Sequence, residues 1–389
     1  MGIDDKPDLV RTSDRIAFNK PAVVGRELDY IRQALENGKL AGDGAFTRDC
    51  HTFLGKRLAP AKALLTHSCT AALEMACILA DIGPGDEVIL PSYTFVSTAN
   101  AVVLRGGIPV FVDIRPDTLN IDENLIDDAI TPRTKAIIAV HYAGVVAEMD
   151  AIDEIAKRRG LVVIEDAAQA YLSIYKGRQA GTLSDMACFS FHETKNIVSG
   201  EGGAFVTRDK ALFDRAEIVR EKGTNRRQFL DGIVDKYSWV DVGSSYLPSE
   251  LIAAFLKAQL EEAEAVTAKR LAIWNTYAAG FAKLEQAGLV ARPSVPLHCT
   301  HNGHMFYLLL GRSVARGDVV KKLDGRGVQA VSHYVPLHSS VAGTKFGRVG
   351  SAMTVTDDIH ARLLRLPLHQ GLKSDEVDAV VDALNDVIR

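Results

Sequence analysis

Short apolar runs alternate with helix-length segments between about residues 60 and 210. The runs that predict β-strands cover residues 87–90, 108–112, 136–140, 161–164, 187–191 and 204–207. Between them, apolar residues with helical spacing are clearest at 71–80 and 152–159, and a glycine-containing turn follows each. Strands this apolar are typical of a sheet covered by helices on both faces, so the pattern predicts an α/β fold with a mostly parallel sheet.

The pattern changes after residue 248. It predicts, in order, a long helical stretch at 250–286, a strand at 305–310, a helix at 318–325, a strand at 328–335 and an amphipathic helix from residue 374. We therefore expect two domains. Residues 1–248 would form an N-terminal arm and a large α/β domain, and residues 249–389 a linking helix and a smaller α+β domain.

Composition narrows the classes of partner. The chain has 389 residues, with 45 Lys and Arg against 49 Asp and Glu, and therefore lacks the positive excess that nucleic-acid binding requires. Its five cysteines are scattered without a C-x-x-C pair, which argues against disulfides or structural zinc and is typical of the cytoplasm. Residues 1–6 carry two acids where a signal peptide has positive charge, and no apolar run is long enough to cross a membrane. We expect a cytoplasmic protein without a membrane segment.

One candidate for chemistry follows the apolar run 161–164, which leads directly into Glu165 and Asp166. In open α/β sheets, ligands bind beyond the carboxyl ends of the strands, and this places Asp166 where a site would form. The pattern is equally compatible with a helix cap.

A second candidate is Lys195, which follows the run 187–191. A loop lysine is usually solvated, but Phe189, Phe191 and the glycines at 200–203 predict that this one is enclosed. Enclosure lowers the pKa of an amine, so Lys195 is a candidate nucleophile.

Two further features complete the pattern. Residues 67–73 place Ser and Thr at the start of a predicted helix, which suits either a phosphate or a plain N-cap. Phe95 follows the strand at 87–90 and could stack on a flat ring or pack in the core. An acid, a lysine, an anion site and an aromatic face are together what pyridoxal 5'-phosphate needs.

At these residues the chain resembles the DegT/DnrJ/EryC1/StrS sugar aminotransferases, which have the aspartate-aminotransferase-like fold type I. The resemblance covers nearly the whole chain, and its cofactor motifs match residues 67–73, 165–169 and 189–196. It implies pyridoxal 5'-phosphate as cofactor, with Lys195 forming the Schiff base and Asp166 pairing with the pyridine nitrogen. The other cofactor contacts that it implies are Cys69, Thr70 and Ser190 at the phosphate, Gln169 near the ring hydroxyl, and Phe95 on the ring face.

Residues 221–229, 235–239 and 333–340 are similar to one subgroup, the dTDP-4-amino-4,6-dideoxygalactose transaminases. The similarity implies that L-glutamate donates an amino group to C4 of dTDP-4-dehydro-6-deoxy-D-glucose, for lipopolysaccharide O antigen or enterobacterial common antigen. It also implies a homodimer with shared active sites. Residues 243–248 depart from the family pattern, and Ser245 takes the place of the residue that would reach the partner's cofactor phosphate.

The substrate residues implied by this similarity are Lys222, Arg226 and Arg227 for the diphosphate, and His333 and Tyr334 for the sugar. Each set also has a structural interpretation, a solvated helix face for the three cations and a packed hairpin for His333 and Tyr334. The histidines at 301, 304, 333 and 338 lack a supporting carboxylate arrangement, so we expect no metal.

Three alternatives remain open. Another nucleotide-sugar aminotransferase of the family would give a 3-amino product or a different 4-amino product. A pyridoxamine-dependent sugar dehydratase would have histidine in place of Lys195. A non-catalytic relative would be expected to lack Lys195 or Asp166, and both are present.

Overall fold

The computed structural model describes residues 15–21 and 23–388. Residues 1–6, on which the expectation about a signal peptide depends, lie outside this range. The helices are α1 (Glu27–Glu36), α2 (Ala45–Arg57), α3 (Cys69–Leu79), α4 (Val96–Val103), α5 (Ile126–Ala129), α6 (Met149–Arg159), α7 (Lys210–Arg220), α8 (Arg226–Leu230), α9 (Glu250–Glu261), α10 (Ala263–Gly280), α11 (Ala282–Gln286), α12 (Arg316–Asp324), α13 (Val341–Phe346), α14 (Thr354–Arg362) and α15 (Ser374–Ile388).

The strands are β1 (Lys62–Thr66), β2 (Glu87–Pro91), β3 (Ile108–Val112), β4 (Thr134–Val140), β5 (Val162–Asp166), β6 (Ile174–Tyr175), β7 (Arg178–Gln179), β8 (Met186–Ser190), β9 (Gly203–Thr207), β10 (Val290–Ala291), β11 (Cys299–Thr300), β12 (Phe306–Leu310), β13 (Arg348–Val349) and β14 (Leu363–Leu366). In the described part of the chain, the largest sheet has eight strands in the order β1-β9-β8-β5-β4-β2-β3-β13. All neighbours from β8 to β13 are parallel, and β9 is antiparallel to both β8 and β1. The predicted α/β class with a mostly parallel sheet is confirmed.

Helices cover both faces of this sheet because adjacent residues of a strand point to opposite sides. Ile137 packs in one buried cluster with Leu54 of α2, whereas Ile138 packs in another with Met75 of α3. Both isoleucines are fully buried. Packing on both faces thus fixes the strands in place. The carboxyl ends of the parallel strands lie together at one edge of the sheet.

The C-terminal part has its own sheet and core. Strand β12 lies between β10 and β14 and is antiparallel to both. Phe306 of β12 packs with Tyr277 of α10 and Leu384 of α15 in a separate buried cluster. The division into domains at residue 248 stays a prediction.

The long helical stretch predicted at 250–286 is confirmed, but it consists of three consecutive helices, α9, α10 and α11, because the backbone leaves helical geometry at Glu262 and Phe281. Another predicted element of this part is wrong. The strand expected at 328–335 pairs with β14 only at Val331. Beyond that residue, His333 and Tyr334 line the same cavity, whereas a strand would send adjacent side chains to opposite faces.

The first described residues lie against this C-terminal part. Ile16 forms a bridge with Val328, and the backbone N–H of Phe18 donates to Oε1 of Gln329 at 2.9 Å. We refer to residues 15–21 as the N-terminal segment. None of the described helices is long and apolar enough to span a membrane.

Candidate active site

A cavity of about 370 Å³ opens beyond the carboxyl ends of β2, β4, β5 and β8. Side chains from both parts of the fold line it, so neither sheet alone forms the site. Those used below are Phe18, Ser68, Cys69, Thr70, Phe95, Ser97, Thr98, Asp166, Gln169, Ser190, Lys195, Arg270, His304, His333, Tyr334 and Arg365.

Asp166 is the last residue of β5, and its side chain is buried at the base of the cavity. Its Oδ2 accepts a hydrogen bond of 2.7 Å from the hydroxyl of Thr98, and its Oδ1 accepts one of 3.2 Å from the N–H of Ala168. The Thr98 hydroxyl lies in turn 2.9 Å from that of Thr94. Donors on both oxygens fix the orientation of the carboxylate.

Lys195 lies in the loop after β8, where its N–H donates to the carbonyl of His192 at 2.9 Å. Its side chain is partly buried, and no hydrogen bond or ion pair to its Nζ is formed within the described residues. Burial lowers the pKa of Lys195, and the nearby Asp166 opposes this only in part. The loop therefore presents an amine that loses its proton more readily than a solvated lysine.

The N-terminus of α3 forms one wall of the cavity. Ser68 caps this helix by accepting from the N–H of Ala71 at 3.1 Å, and the Thr70 hydroxyl lies 2.8 Å from that of Ser97. The N–H groups of the first turn have no acceptor within the helix. At Gly203 of β9, a Cβ atom would lie 2.5 Å from the backbone nitrogen of Cys69, so only glycine leaves this end of the helix open. Free N–H groups and hydroxyls here suit an anion.

Gln169 and Tyr334 link the two parts of the fold. Gln169 accepts from the N–H of Ala143 at 2.7 Å and donates to the hydroxyl of Tyr334 at 2.9 Å. The ring of His333 stacks on Tyr334 with 3.6 Å between centroids, and its Nδ1 lies 2.6 Å from the hydroxyl of Tyr142. Burial lowers the pKa of His333, which keeps its ring neutral near pH 7.

Phe95 and Ser190 also line the cavity. Phe95 is 55% exposed, and its ring centroid lies 6.2 Å from that of Tyr334. Ser190 is buried at the end of β8 and accepts from the N–H of His192 at 3.4 Å. The structure thus brings nine predicted site residues to one cavity, namely Cys69, Thr70, Phe95, Asp166, Gln169, Ser190, Lys195, His333 and Tyr334. Their individual roles stay predictions.

Lys222, Arg226, Arg227 and Ser245 do not line this cavity. Lys222 and Arg226 pair with Glu221 at 3.0 and 3.4 Å, and Arg227 pairs with Asp231 at 2.8 Å. The three cations are about half exposed, as the alternative of a solvated surface requires. Within one chain they lie outside the cavity, and their contact with the diphosphate stays a prediction.

Other lining residues were not predicted as site residues, among them Thr98, Arg270, His304 and Arg365. Arg270 donates to the backbone carbonyls of Gly303 and His304 at 3.1 and 2.6 Å, and burial lowers its pKa to about 9. The polar character of Thr98 does not distinguish it within α4, because this helix also contains Ser97 and Asn100. Arg270 comes from α10, His304 from the loop before β12 and Arg365 from β14. These elements reach the cavity only through long-range packing.

The histidines considered as metal ligands make other contacts. His304 lies 3.0 Å from Oδ1 of Asn196, His301 packs on Trp274, and His338 lies 2.7 Å from the hydroxyl of Ser92. Within the described residues, no group of three or more His, Cys, Asp or Glu side chains is arranged to hold a metal ion.

The family model of the DegT/DnrJ/EryC1/StrS aminotransferases matches residues 21–385. The chain belongs to this family. It is 34% identical over 382 residues to GDP-perosamine synthase of Caulobacter vibrioides, covering 96% of this chain and 98% of that protein. It is 32% identical over 381 residues to dTDP-3-amino-3,4,6-trideoxy-alpha-D-glucose transaminase of Streptomyces venezuelae, covering 97% and 94%. The fold is similar to the crystal structure of DesV from Streptomyces venezuelae in complex with a ketimine intermediate, with a TM-score of 0.87, 31% identity and coverage of 96% and 99%.

Members of this family depend on pyridoxal 5'-phosphate, and the cavity fits that cofactor. The buried carboxylate of Asp166 suits a protonated pyridine nitrogen, and the open end of α3 beside Gly203 suits a phosphate. Lys195 supplies an amine without a competing partner in the described residues. The predicted fold type I, the predicted cofactor and the aminotransferase class are confirmed.

Proposed function

We propose that this aminotransferase transfers the amino group of L-glutamate to the C4 ketone of dTDP-4-dehydro-6-deoxy-D-glucose. The products would be dTDP-4-amino-4,6-dideoxy-D-galactose and 2-oxoglutarate. The observation that carries the proposal is the meeting of Lys195, Asp166 and the N-terminus of α3 around one cavity. The sugar assignment rests on the similarity of residues 221–229, 235–239 and 333–340 to one subgroup of the family.

Lys195 and Asp166 would have different roles in catalysis. Bound pyridoxal phosphate supplies an electron sink. Lys195, as the free amine, takes a proton from the reacting carbon of one substrate and returns a proton at the other stage. Asp166 would hold a proton at the pyridine nitrogen, and the hydrogen bonds from Thr98 and Ala168 would keep its carboxylate in the orientation that this requires.

Binding contacts complete the site. The first turn of α3, with Cys69 and Thr70, and Ser190 of β8 would bind the cofactor phosphate. Gln169 would orient the ring, because Ala143 and Tyr334 fix its amide from both ends. His333 and Tyr334 would close over the sugar, and their stacked rings exclude water from that wall.

We also propose that the enzyme is a homodimer with shared sites. Residues 229–242 expose several apolar side chains, among them Trp239 at 80% and Ile233 at 70%. Surface of this kind is typical of a contact between proteins. Four predicted site residues flank this range in the sequence, namely Lys222, Arg226, Arg227 and Ser245. A partner subunit that binds this surface would place its own cavity near them.

The choice of substrate can be tested by comparing four amino acceptors: the dTDP-linked 4-keto-6-deoxy sugar, its 3-keto isomer, a GDP-linked 4-keto sugar and a simple 2-oxo acid. We expect the highest kcat/KM with the dTDP-linked 4-keto sugar, and NMR of the product should locate the new amine at C4. Preference for the GDP-linked sugar would point to the activity that names the Caulobacter relative. Preference for the oxo acid would remove the sugar assignment.

A further inference from the structure

Tyr142 is fully buried behind the wall of the cavity and does not line it. It directly follows β4, and its backbone N–H donates to Oδ1 of Asn120 at 2.7 Å. Asn120 is itself buried, and its amide donates to the carbonyl of Val145 at 3.0 Å. These two bonds fix the turn after β4, and with it the position of the Tyr142 ring.

The hydroxyl of Tyr142 lies 2.6 Å from Nδ1 of His333, a residue that does line the cavity. Burial raises the pKa of Tyr142, so the hydroxyl keeps its proton at neutral pH. The ring of Tyr93 packs 5.5 Å away, but its hydroxyl is buried without a hydrogen-bond partner and does not accept this proton. A buried donor without an acceptor is costly, so the Tyr142 hydroxyl donates to Nδ1 of His333.

This bond determines which nitrogen of His333 carries the proton. Burial lowers the pKa of His333, so its ring is neutral near pH 7 and has a single N–H. Because Nδ1 accepts from Tyr142, the proton is on Nε2. In the described part of the chain Nε2 forms no hydrogen bond, so a ring in the wall of the cavity has an N–H donor that a ligand can use.

The turn after β4 also supports the neighbouring ring of Tyr334. The N–H of Ala143 donates to Oε1 of Gln169, whose amide donates to the Tyr334 hydroxyl. His333 stacks on Tyr334 with 3.6 Å between centroids. One turn therefore holds both rings of the stacked pair, one through the Tyr142 hydroxyl and the other through Gln169.

We propose that Tyr142 is a positioning residue that holds His333 in the Nε2–H tautomer, so that His333 donates a hydrogen bond to an oxygen of the keto sugar. The inference rests on the proposed function in taking a keto sugar as the ligand of His333. The charge of Lys195 acts on His333, which places the imidazole near the amine that moves the proton. A neutral N–H suits the neutral ketone and hydroxyl oxygens of a hexose, whereas the carboxylates of L-glutamate favour cationic donors.

The two stages of transamination can be measured separately by single-turnover absorbance. Tyr142→Phe keeps the ring and removes the hydroxyl. It should lower kcat/KM for the keto sugar, starting from the pyridoxamine form, by about fivefold, the value of one neutral hydrogen bond. The glutamate stage should be unchanged, which also shows that the variant is folded.

Tyr307→Phe is the matched control. Its ring packs 6.0 Å from that of Tyr142, and its buried hydroxyl forms no hydrogen bond with the residues that the structure describes. This variant therefore removes the same group from the same cluster without touching His333. Both stages should keep their wild-type rates.

The tautomer can be observed without turnover by NMR of the holoenzyme with 15N-labelled histidine. The signals of His333 are identified by their absence from the spectrum of His333→Gln. In the wild type, Nε2 should carry the proton and Nδ1 should be an acceptor. The Nδ1 signal should shift in Tyr142→Phe, because its hydrogen bond is lost, and should stay in place in Tyr307→Phe.

A double-mutant cycle tests whether Tyr142 acts through His333. Glutamine at position 333 has an amide N–H and no tautomer to fix. Tyr142→Phe should therefore lower the sugar-stage kcat/KM about fivefold in the wild type and leave that of His333→Gln unchanged. A residue that only packs in the cluster would have the same effect in both backgrounds.

Four results would overturn the inference: a proton on Nδ1 of His333, an unchanged sugar stage in Tyr142→Phe, an equal loss in both stages, or the same loss in the His333→Gln background. Failure of the proposed sugar assignment would look different, because the wild type would then fail with the dTDP-linked 4-keto sugar whatever the tautomer of His333. The NMR result does not depend on the acceptor, so the two failures can be distinguished.

Discussion

Thr98 and Asp166, which are 68 positions apart in the sequence, are joined by a buried hydrogen bond of 2.7 Å from the hydroxyl of Thr98 to Oδ2 of the carboxylate. Thr98 lies in α4 and Asp166 ends β5. The bond therefore couples the position of α4 to the direction in which the Asp166 carboxylate points. It also occupies one oxygen, so the carboxylate has a single preferred orientation.

Removing the Thr98 hydroxyl should reduce the contribution of Asp166 to catalysis while the Asp166 side chain stays in place. We expect Thr98→Val to lower kcat/KM by about tenfold, the value of one hydrogen bond to a charged group, whereas Asp166→Asn should cost about 3 kcal/mol or more because the charge itself is lost. Thr98→Ser keeps the hydroxyl and should retain most of the activity. Steady-state kinetics of the three variants tests this, and an active Asp166→Asn enzyme would contradict the role of the charge.

Lys195→Ala should abolish turnover at every pH, because no other amine in the described residues is placed to move the proton. Addition of a small primary amine should restore part of the rate. In the wild type, burial lowers the pKa of Lys195, so the rate should fall on acidification only below the pH at which a solvated lysine would already be protonated. A pH–rate profile of the glutamate stage measures this. A variant that transaminates at the wild-type rate would remove Lys195 from the mechanism.

His51 should make the fold sensitive to acid. Its Nε2 accepts from the N–H of Leu65 at 2.9 Å, and burial, followed by the charge of Arg220, lowers its pKa to about 3. Between pH 6.5 and that value the unfolded chain binds a proton that the folded chain does not, so stability is lost as the pH falls. Because His51 is protonated only in the unfolded chain, we expect the free energy of unfolding to fall by about 2 kcal/mol between pH 7 and pH 4.5. Urea titrations of the wild type and His51→Gln at both pH values should differ by that amount, and an identical pH dependence would exclude His51 as the cause.

The proposed dimer can be tested by complementation. Lys195→Ala removes the amine from a site, and Ser245→Trp would block the contact that a chain makes with its partner's site. Each variant alone should be inactive, and mixing them should restore some activity, because half of the sites in mixed dimers carry neither change. Sedimentation should show a dimer throughout. A fully active monomer would refute the assembly, and a dimer without rescue would refute only the shared site.

The parts of the site that directly follow strand ends can be predicted from the sequence. Asp166 and Lys195 could be placed because a buried strand determines where the next residues emerge. The end of α3 could be placed because Ser68 is a typical cap. These are local relationships, and the chemistry of each residue type then restricts what it can bind.

The remaining part of the site depends on long-range packing that periodicity does not encode. Arg365 lies in a four-residue strand, β14, that no apolar pattern predicted, and it reaches the cavity only because β12 and Val331 hold it there. The apolar pattern predicts a strand at His333 and Tyr334, because their stacking on one side of the backbone leaves no trace in the order of polar and apolar residues.

The N-terminal segment has a consequence for how the protein is made and trimmed. Phe18 covers the guanidinium of Arg365, its N–H is held by Gln329, and its carbonyl accepts from the N–H of Leu368 at 3.4 Å. An expression clone that starts after residue 18, or a protease that cuts there, would open that wall to water. The stacked ring would be lost and the guanidinium would become hydrated, although no residue that touches the reacting atoms had been removed.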